Sequence, residues 1–124
     1  MNDSLVFQKS KIFADRVIRL YQKLSVQQRE FVISTQLLRC GTSIGANLAE
    51  AKCAISKKDF YSKNNIAYSE CTECQYWLEK LVNNGYITQE EYDSIRADCD
   101  EIGRMLSSIT STLKERLPKK DYGY

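Results

Sequence analysis

The residues with chemical potential are two cysteines spaced C-x-x-C, Cys71 and Cys74, and three carboxylates, Glu50, Glu70 and Glu73. Such a cysteine pair can ligate zinc or cycle between dithiol and disulfide, and inward carboxylates of helical bundles can hold two iron ions. The chain has no histidine. Di-iron bundles use Glu-x-x-His pairs, and the common nucleophilic sites use a histidine base, so both are disfavoured. We therefore expect no enzyme activity, no metal ion, no cofactor and no small-molecule substrate.

The cysteines favour structural roles. Cys71 and Cys74 occupy apolar positions in the middle of a helical pattern, where no helix N-terminus lowers a thiol pKa. The five cysteines are odd in number and lie within helical patterns, which favours reduced, buried thiols over a disulfide framework. The N-terminal residues do not form a signal peptide, and no apolar stretch approaches the length of a membrane span. A cytoplasmic protein without membrane contact is expected.

Four long amphipathic segments must position these side chains. The chain of 124 residues has one proline and five glycines, too few turn formers for a small all-β domain. Apolar or small residues recur at alternating three- and four-residue steps over residues 6–24, 37–55, 60–81 and 92–113. This spacing places one stripe on each helix and is typical of left-handed bundles.

Helix-terminal signals separate the four segments. An S-x-x-Q capping box predicts the start of the second helix, and two similar caps predict the third and fourth: Ser25 with Gln28, Ser56 with Asp59, and Thr88 with Glu91. Gly85 follows the third helix and Pro118 ends the fourth. Because short connections force neighbouring helices to be antiparallel, we predict an all-α, up-down-up-down four-helix bundle over residues 1–117, with a polar tail at 118–124.

The second helix contains two glycines, Gly41 and Gly45, each of which costs a helix interior about 1 kcal/mol relative to alanine. They are four residues apart and share a face. One interpretation is a close approach between helices within the bundle, and another is a close contact with a second subunit. A phosphate-binding loop is disfavoured because no strand precedes them.

The same segment, Leu-Leu-Arg-Cys-Gly-Thr-Ser-Ile-Gly-Ala-Asn-Leu-Ala-Glu-Ala at 37–51, resembles the signature of a family of small bacterial four-helix bundles. Its members are encoded in intervening sequences of large-subunit ribosomal RNA genes, and it includes the accessory protein of diversity-generating retroelements. Further matches lie at residues 58–60, 66–67, 70–78 and 105–106. The resemblance implies a homo-oligomer, with a pentamer favoured. For the retroelement branch it also implies binding to RNA or DNA and to a reverse transcriptase.

The charge distribution identifies candidate nucleic-acid-binding residues. Residues 1–63 carry a balance of +6 and residues 64–124 a balance of −4, which together give the net charge of +2. Four cations of the first helix, Lys9, Arg16, Arg19 and Lys23, lie within about 80° of one another around its axis. These side chains are either ordinary solvated cations beside the apolar stripe or a surface that binds a polyanion weakly. A ring of subunits would strengthen such binding. Acidic residues of the fourth helix could also pair with them.

Candidate residues for packing or an oligomer interface cluster around the glycines. Arg39 and Asn47 share a face of the second helix and could bond to Glu70 and Glu73, either as a buried network or as a partner contact. The adjacent aromatic residues could pack across the seam or in a subunit interface. The full candidate set is Arg39, Gly41, Gly45, Asn47, Tyr76 and Trp77.

These observations favour a non-enzymatic homo-oligomeric accessory or binding protein that contacts nucleic acid or a nucleoprotein through the basic stripe on the first helix. The alternative is a protein-binding or structural scaffold without nucleic-acid contact, which the low net charge favours.

Overall fold

The computed structural model describes residues 3–119 and contains four helices. They are α1 (Leu5–Gln27), α2 (Val32–Ala51), α3 (Lys57–Asn83) and α4 (Gln89–Glu115). The predicted all-α four-helix bundle is confirmed. Residues 120–124 of the predicted polar tail lie outside the described residues.

Each helix packs against its neighbours in the chain, and α1 also packs against α4. The α1–α2 pair is antiparallel, because Val17 lies beside Gly41 while the earlier Ser10 lies beside the later Gly45. In the other three helix pairs, residue numbers also rise along one helix as they fall along its neighbour. The contacts that show this are Arg39–Glu70 and Glu50–Lys63 for α2 and α3, Glu79–Arg96 and Gln75–Asp100 for α3 and α4, and Lys9–Glu101 and Lys23–Glu91 for α1 and α4. All three connections are short, so chain neighbours are also spatial neighbours.

The core lies where the four predicted stripes meet. Its largest fully buried side chains come from all four helices and include Phe13, Leu24, Leu37, Ile44, Leu78, Leu81, Ile102 and Leu106. The predicted burial is wrong for two residues of the stripes. Ile55 is 93% exposed because α2 ends at Ala51, and Phe60, in the first turn of α3, is 38% exposed.

The predicted start of α2 is also wrong. Ser25 lies inside α1, where its hydroxyl donates to the carbonyl of Tyr21 at 2.8 Å instead of capping a new helix. The chain reverses at Arg29, whose φ of 55° is in the left-handed region. The buried Glu30 then caps α2, since its carboxylate accepts from the backbone amides of residues 32, 33 and 34 at 3.1, 3.1 and 2.7 Å.

The remaining helix ends match the sequence signals. The Ser56 hydroxyl accepts from the amide of Asp59 at 3.0 Å, and Thr88 with Glu91 forms a reciprocal capping box. Gly85 has a φ of 77° after α3, and α4 ends before Pro118. Over residues 3–119, no helix is long and apolar enough to cross a membrane.

Candidate functional site

Three of the four candidate nucleic-acid-binding cations pair with carboxylates of α4. Lys9 pairs with Glu101, Arg16 with Asp98 and Lys23 with Glu91, each at 2.6 Å. The basic stripe of α1 therefore contributes to a row of three ion pairs between the first and last helices, which we call the ion-pair ladder.

The ladder affects the ionisation of Glu91. The hydrogen bond from Lys23, assisted by the backbone amide of Thr88, holds the pKa of Glu91 below its ordinary value. Arg16 is fixed further, because its guanidinium also donates to the Ser94 hydroxyl at 3.0 Å. These cations are thus oriented towards α4 and already have anionic partners.

Arg19 is different from the other three. It lies on the exposed surface of α1 and has no ion-pair partner among residues 3–119. Of the predicted stripe, it is the member whose charge is available to another molecule without displacing a carboxylate.

The two glycines of α2 face α1. A Cβ atom on Gly41 would lie 2.8 Å from Cγ1 and 2.9 Å from Cγ2 of Val17, and one on Gly45 would lie 3.2 Å from the Ser10 hydroxyl. Because Val17 and Ser10 are both fully buried, these positions have little room for a larger residue. Within this chain, the glycines allow α1 and α2 to approach closely.

Arg39 links α2 to α3 at the surface. Its guanidinium contacts Glu70 at 3.2 Å and forms a short contact with Glu73, whose carboxylate also accepts from the indole of Trp77 at 2.9 Å. The side chain of Arg39 is 47% exposed, so this network is not the buried one considered from the sequence. Asn47 takes no part in it and donates to the carbonyl of Ser43 at 2.9 Å.

The adjacent aromatic rings form one exposed edge of this surface. Tyr76 and Trp77 are in edge-to-face contact with centroids 4.9 Å apart. Tyr76 is 51% exposed, and the ammonium of Lys80 lies 5.1 Å from its ring centroid. Trp77 is half-buried, and the Glu73 hydrogen bond fixes its orientation. The two rings therefore provide a rigid, partly apolar contact surface.

Cys71 and Cys74 belong to a buried group of four thiols that the sequence does not reveal. The Cys74 thiol donates to Cys40 at 3.2 Å, and the sulfur atoms of Cys71 and Cys99 are 3.7 Å apart. Hydrogen bonding to Cys99 and burial raise the pKa of Cys71, and hydrogen bonding to Cys40 likewise raises that of Cys74. Cys53 is exposed. In the described chain, no group of His, Cys, Asp and Glu side chains is arranged to hold a metal ion.

A row of exposed apolar residues on the outer face of α1 was missed by the sequence analysis. Leu5, Ile12 and Val26 are 59%, 61% and 77% exposed, and Arg19 completes their seven-residue spacing. We call these four residues the outer row. Seven-residue repetition could have identified it, since such spacing keeps side chains on one face of a helix. An exposed apolar row of this kind is suited to packing against another protein surface.

Comparison with known proteins identifies the family of the chain. The family model of the 23S rRNA-intervening sequence protein matches residues 2–108. A crystal structure of a protein of unknown function from the S23 ribosomal protein family of Bacteroides thetaiotaomicron is similar. It has 51% sequence identity and a TM-score of 0.84, over 86% of this chain and 98% of that chain. A search of curated proteins found no match. This chain therefore belongs to the 23S rRNA-intervening sequence protein family.

Proposed function

We propose that this protein is a non-enzymatic, self-associating binding protein, with a pentamer favoured by the family resemblance. The observation that carries the proposal is the outer row of α1, where Leu5, Ile12 and Val26 present apolar side chains to solvent. Seven-residue spacing of this kind lets one helix pack along another. Burial of such side chains stabilises an assembly by about 25 cal/mol per Å² of apolar surface removed from water.

The partner we propose is nucleic acid or a nucleoprotein. Support comes from the family, whose description names an intervening sequence of 23S rRNA. The resemblance of residues 37–51 to the retroelement accessory protein adds a reverse transcriptase as a second partner class. In an oligomer, every subunit would carry the same cationic residues, so several weak contacts to one nucleic acid would act together. We place this activity in the cytoplasm, in agreement with five cysteines that are not in disulfides.

A second candidate function is a protein-binding or structural scaffold without nucleic-acid contact. The ion-pair ladder favours it, because Lys9, Arg16 and Lys23 would have to leave α4 carboxylates before they could bind phosphate. A catalytic role has less support. The C-x-x-C thiols are buried, and Glu70 and Glu73 are both held by Arg39.

The mass of the protein in solution tests self-association. At micromolar concentration, light scattering should give a multiple of 14.3 kDa, and five copies correspond to about 72 kDa. The double variant Ile12→Glu/Val26→Glu should shift this mass towards one chain while retaining helical circular dichroism. The control Ser62→Glu places a charge on an exposed position of α3 and should leave the mass unchanged. A monomeric wild-type protein, or an outer-row variant with unchanged mass, would contradict the proposal.

A further inference from the structure

One end of the bundle has a strong excess of positive charge. It is formed by residues 3–11, 48–64 and 108–119, which we call the basic end; these segments contain nine lysines and arginines and four acids. The rest of the described chain contains eight lysines and arginines and eleven acids. A groove of about 360 Å³ lined by Asp3, Leu48, Phe60 and Ile109 shows that the three segments meet. Charge is thus separated along the long axis of the bundle.

Four of the nine cations of the basic end have no carboxylate partner among the described residues. Lys57, Lys58, Arg116 and Lys119 form no ion pair within residues 3–119. Three of the four acids at this end are already engaged: Asp3 with Lys11 and Lys52, Glu50 with Lys63, and Asp59 with the backbone amide of Ile55. The excess charge at this end is therefore available to an anionic partner.

The same end presents exposed apolar and aromatic groups beside these cations. A groove of about 490 Å³ lies between the α2–α3 connection and the end of α4, and Lys57, Phe60 and Arg116 line it. Ile55, which also lines this groove, is 93% exposed, and Phe60 is 38% exposed. Cations next to an accessible ring are the combination that single-stranded nucleic acids require, since phosphates need positive charge and unpaired bases need a stacking surface.

We propose that the basic end binds a single-stranded nucleic acid, through cations that do not belong to the stripe on α1. Lys57 and Arg116 contact successive phosphates at the groove, Lys58 and Lys119 extend the positive surface, and a base packs against Phe60. This assignment rests on the proposed nucleic-acid function and locates its contact surface. In a homo-oligomer, each subunit adds one such groove, which increases the length of strand that can be held.

Fluorescence anisotropy with a labelled 20-nucleotide single-stranded RNA at 50 mM NaCl tests the assignment. Lys57→Glu/Arg116→Glu should weaken binding at least about tenfold and reduce the dependence of log K on log salt by about 1.4, as expected for two lost single-strand phosphate contacts. The matched control is Arg29→Glu/Arg104→Glu, which makes the same charge change at two exposed cations that form no ion pairs among the described residues and lie outside the outer row. It should weaken binding less than about threefold.

Phe60→Ala supplies a second readout. It should weaken binding by about 5- to 160-fold, the range for loss of one stacked base, while the salt dependence stays unchanged. Helical circular dichroism and oligomer mass must match those of the wild type in each variant, because Phe60 also packs partly into the bundle. Poly-glutamate should not displace the labelled RNA at a concentration of negative charge at which unlabelled RNA does displace it.

The outcomes separate this assignment from the proposed function. If the wild-type protein does not bind the RNA, the nucleic-acid function itself fails. If the wild type binds and the basic-end variant retains its affinity, the function stands and the assignment is overturned. Equal weakening in the basic-end and control variants, or equal competition by poly-glutamate, would also overturn it, because either result means that net charge alone governs binding.

Discussion

Replacing Gly41 with alanine should destabilise the protein, although alanine is the better helix former. The new Cβ atom would lie 2.8 Å from Cγ1 of Val17. Carbon atoms pack best at about 3.5–4.0 Å, so the two side chains would be at least about 0.7 Å too close. Val17 is fully buried and β-branched, so it has little freedom to rotate away. The helices must therefore separate locally or Val17 must adopt a strained rotamer.

Two opposing terms set the magnitude. Alanine gains about 1 kcal/mol of helix propensity over glycine, whereas overpacking of a close-packed core costs about 1–3 kcal/mol. We expect a net loss of about 1 kcal/mol in the free energy of unfolding, which corresponds to a decrease of about 4 °C in Tm for a chain of this size. At Gly103 the nearest atom to an added Cβ would be the Cys71 sulfur at 3.5 Å, an ordinary contact. Gly103→Ala should therefore stabilise the protein by up to about 1 kcal/mol.

Urea unfolding followed by circular dichroism, at one fixed chain concentration, measures both effects. Val17→Ala removes the two methyl groups that crowd the new Cβ atom. Val17→Ala should therefore lower the free energy of unfolding by at least about 0.5 kcal/mol less in the Gly41→Ala background than in the wild type. If Gly41→Ala is as stable as the wild type, or if the two substitutions are additive, the close approach of α1 and α2 does not explain this glycine.

Three further predictions follow from the caps, the ladder and the thiols. Glu30→Ala should lower the free energy of unfolding by about 1–2 kcal/mol in urea titrations, because three backbone amides at the start of α2 lose their acceptor. The lowered pKa of Glu91 means that its ionised form adds stability above its unfolded pKa and loses it as pH falls through the folded value. Glu91→Gln should therefore cost less than about 1 kcal/mol at pH 7, as a half-exposed pair implies, and the difference from the wild type should shrink as the pH falls below the ordinary pKa of a glutamate. A thiol reagent such as DTNB should modify one cysteine in the native protein, the exposed Cys53, and five in guanidinium; rapid native modification of more than one would contradict the buried placement of the others.

Local signals in the sequence were sufficient for most helix boundaries. Ser56 and Thr88 cap the helices they precede, because a cap depends on a side chain and an amide three residues away. The S-x-x-Q signal at Ser25 failed because α1 continues through it, and propagation of an existing helix costs less than nucleation of a new one. The cap that α2 uses, Glu30, is a residue type that capping rules do not rank highly.

Contacts between helices were harder to predict than helix ends. The sequence indicated that cations of α1 could pair with acids of α4, but the carboxylate that each cation contacts depends on the relative rotation and register of the two helices. The same holds for the thiols: the pattern predicted buried positions for Cys71 and Cys74, while their partners Cys40 and Cys99 come from other helices. The basic end was hidden because charges from three separate segments meet there.

The ion-pair ladder has a consequence for folding kinetics. Three of the helix–helix interfaces join chain neighbours and form as local hairpins, whereas the α1–α4 interface joins distant residues such as Arg16 and Asp98, at a separation of 82. Local contacts form before distant ones, because closing a long loop costs more entropy. We expect the first and last helices to meet late, with charge attraction speeding their encounter. In stopped-flow refolding, added salt should therefore slow the formation of the closed bundle more than it slows the early gain of helix.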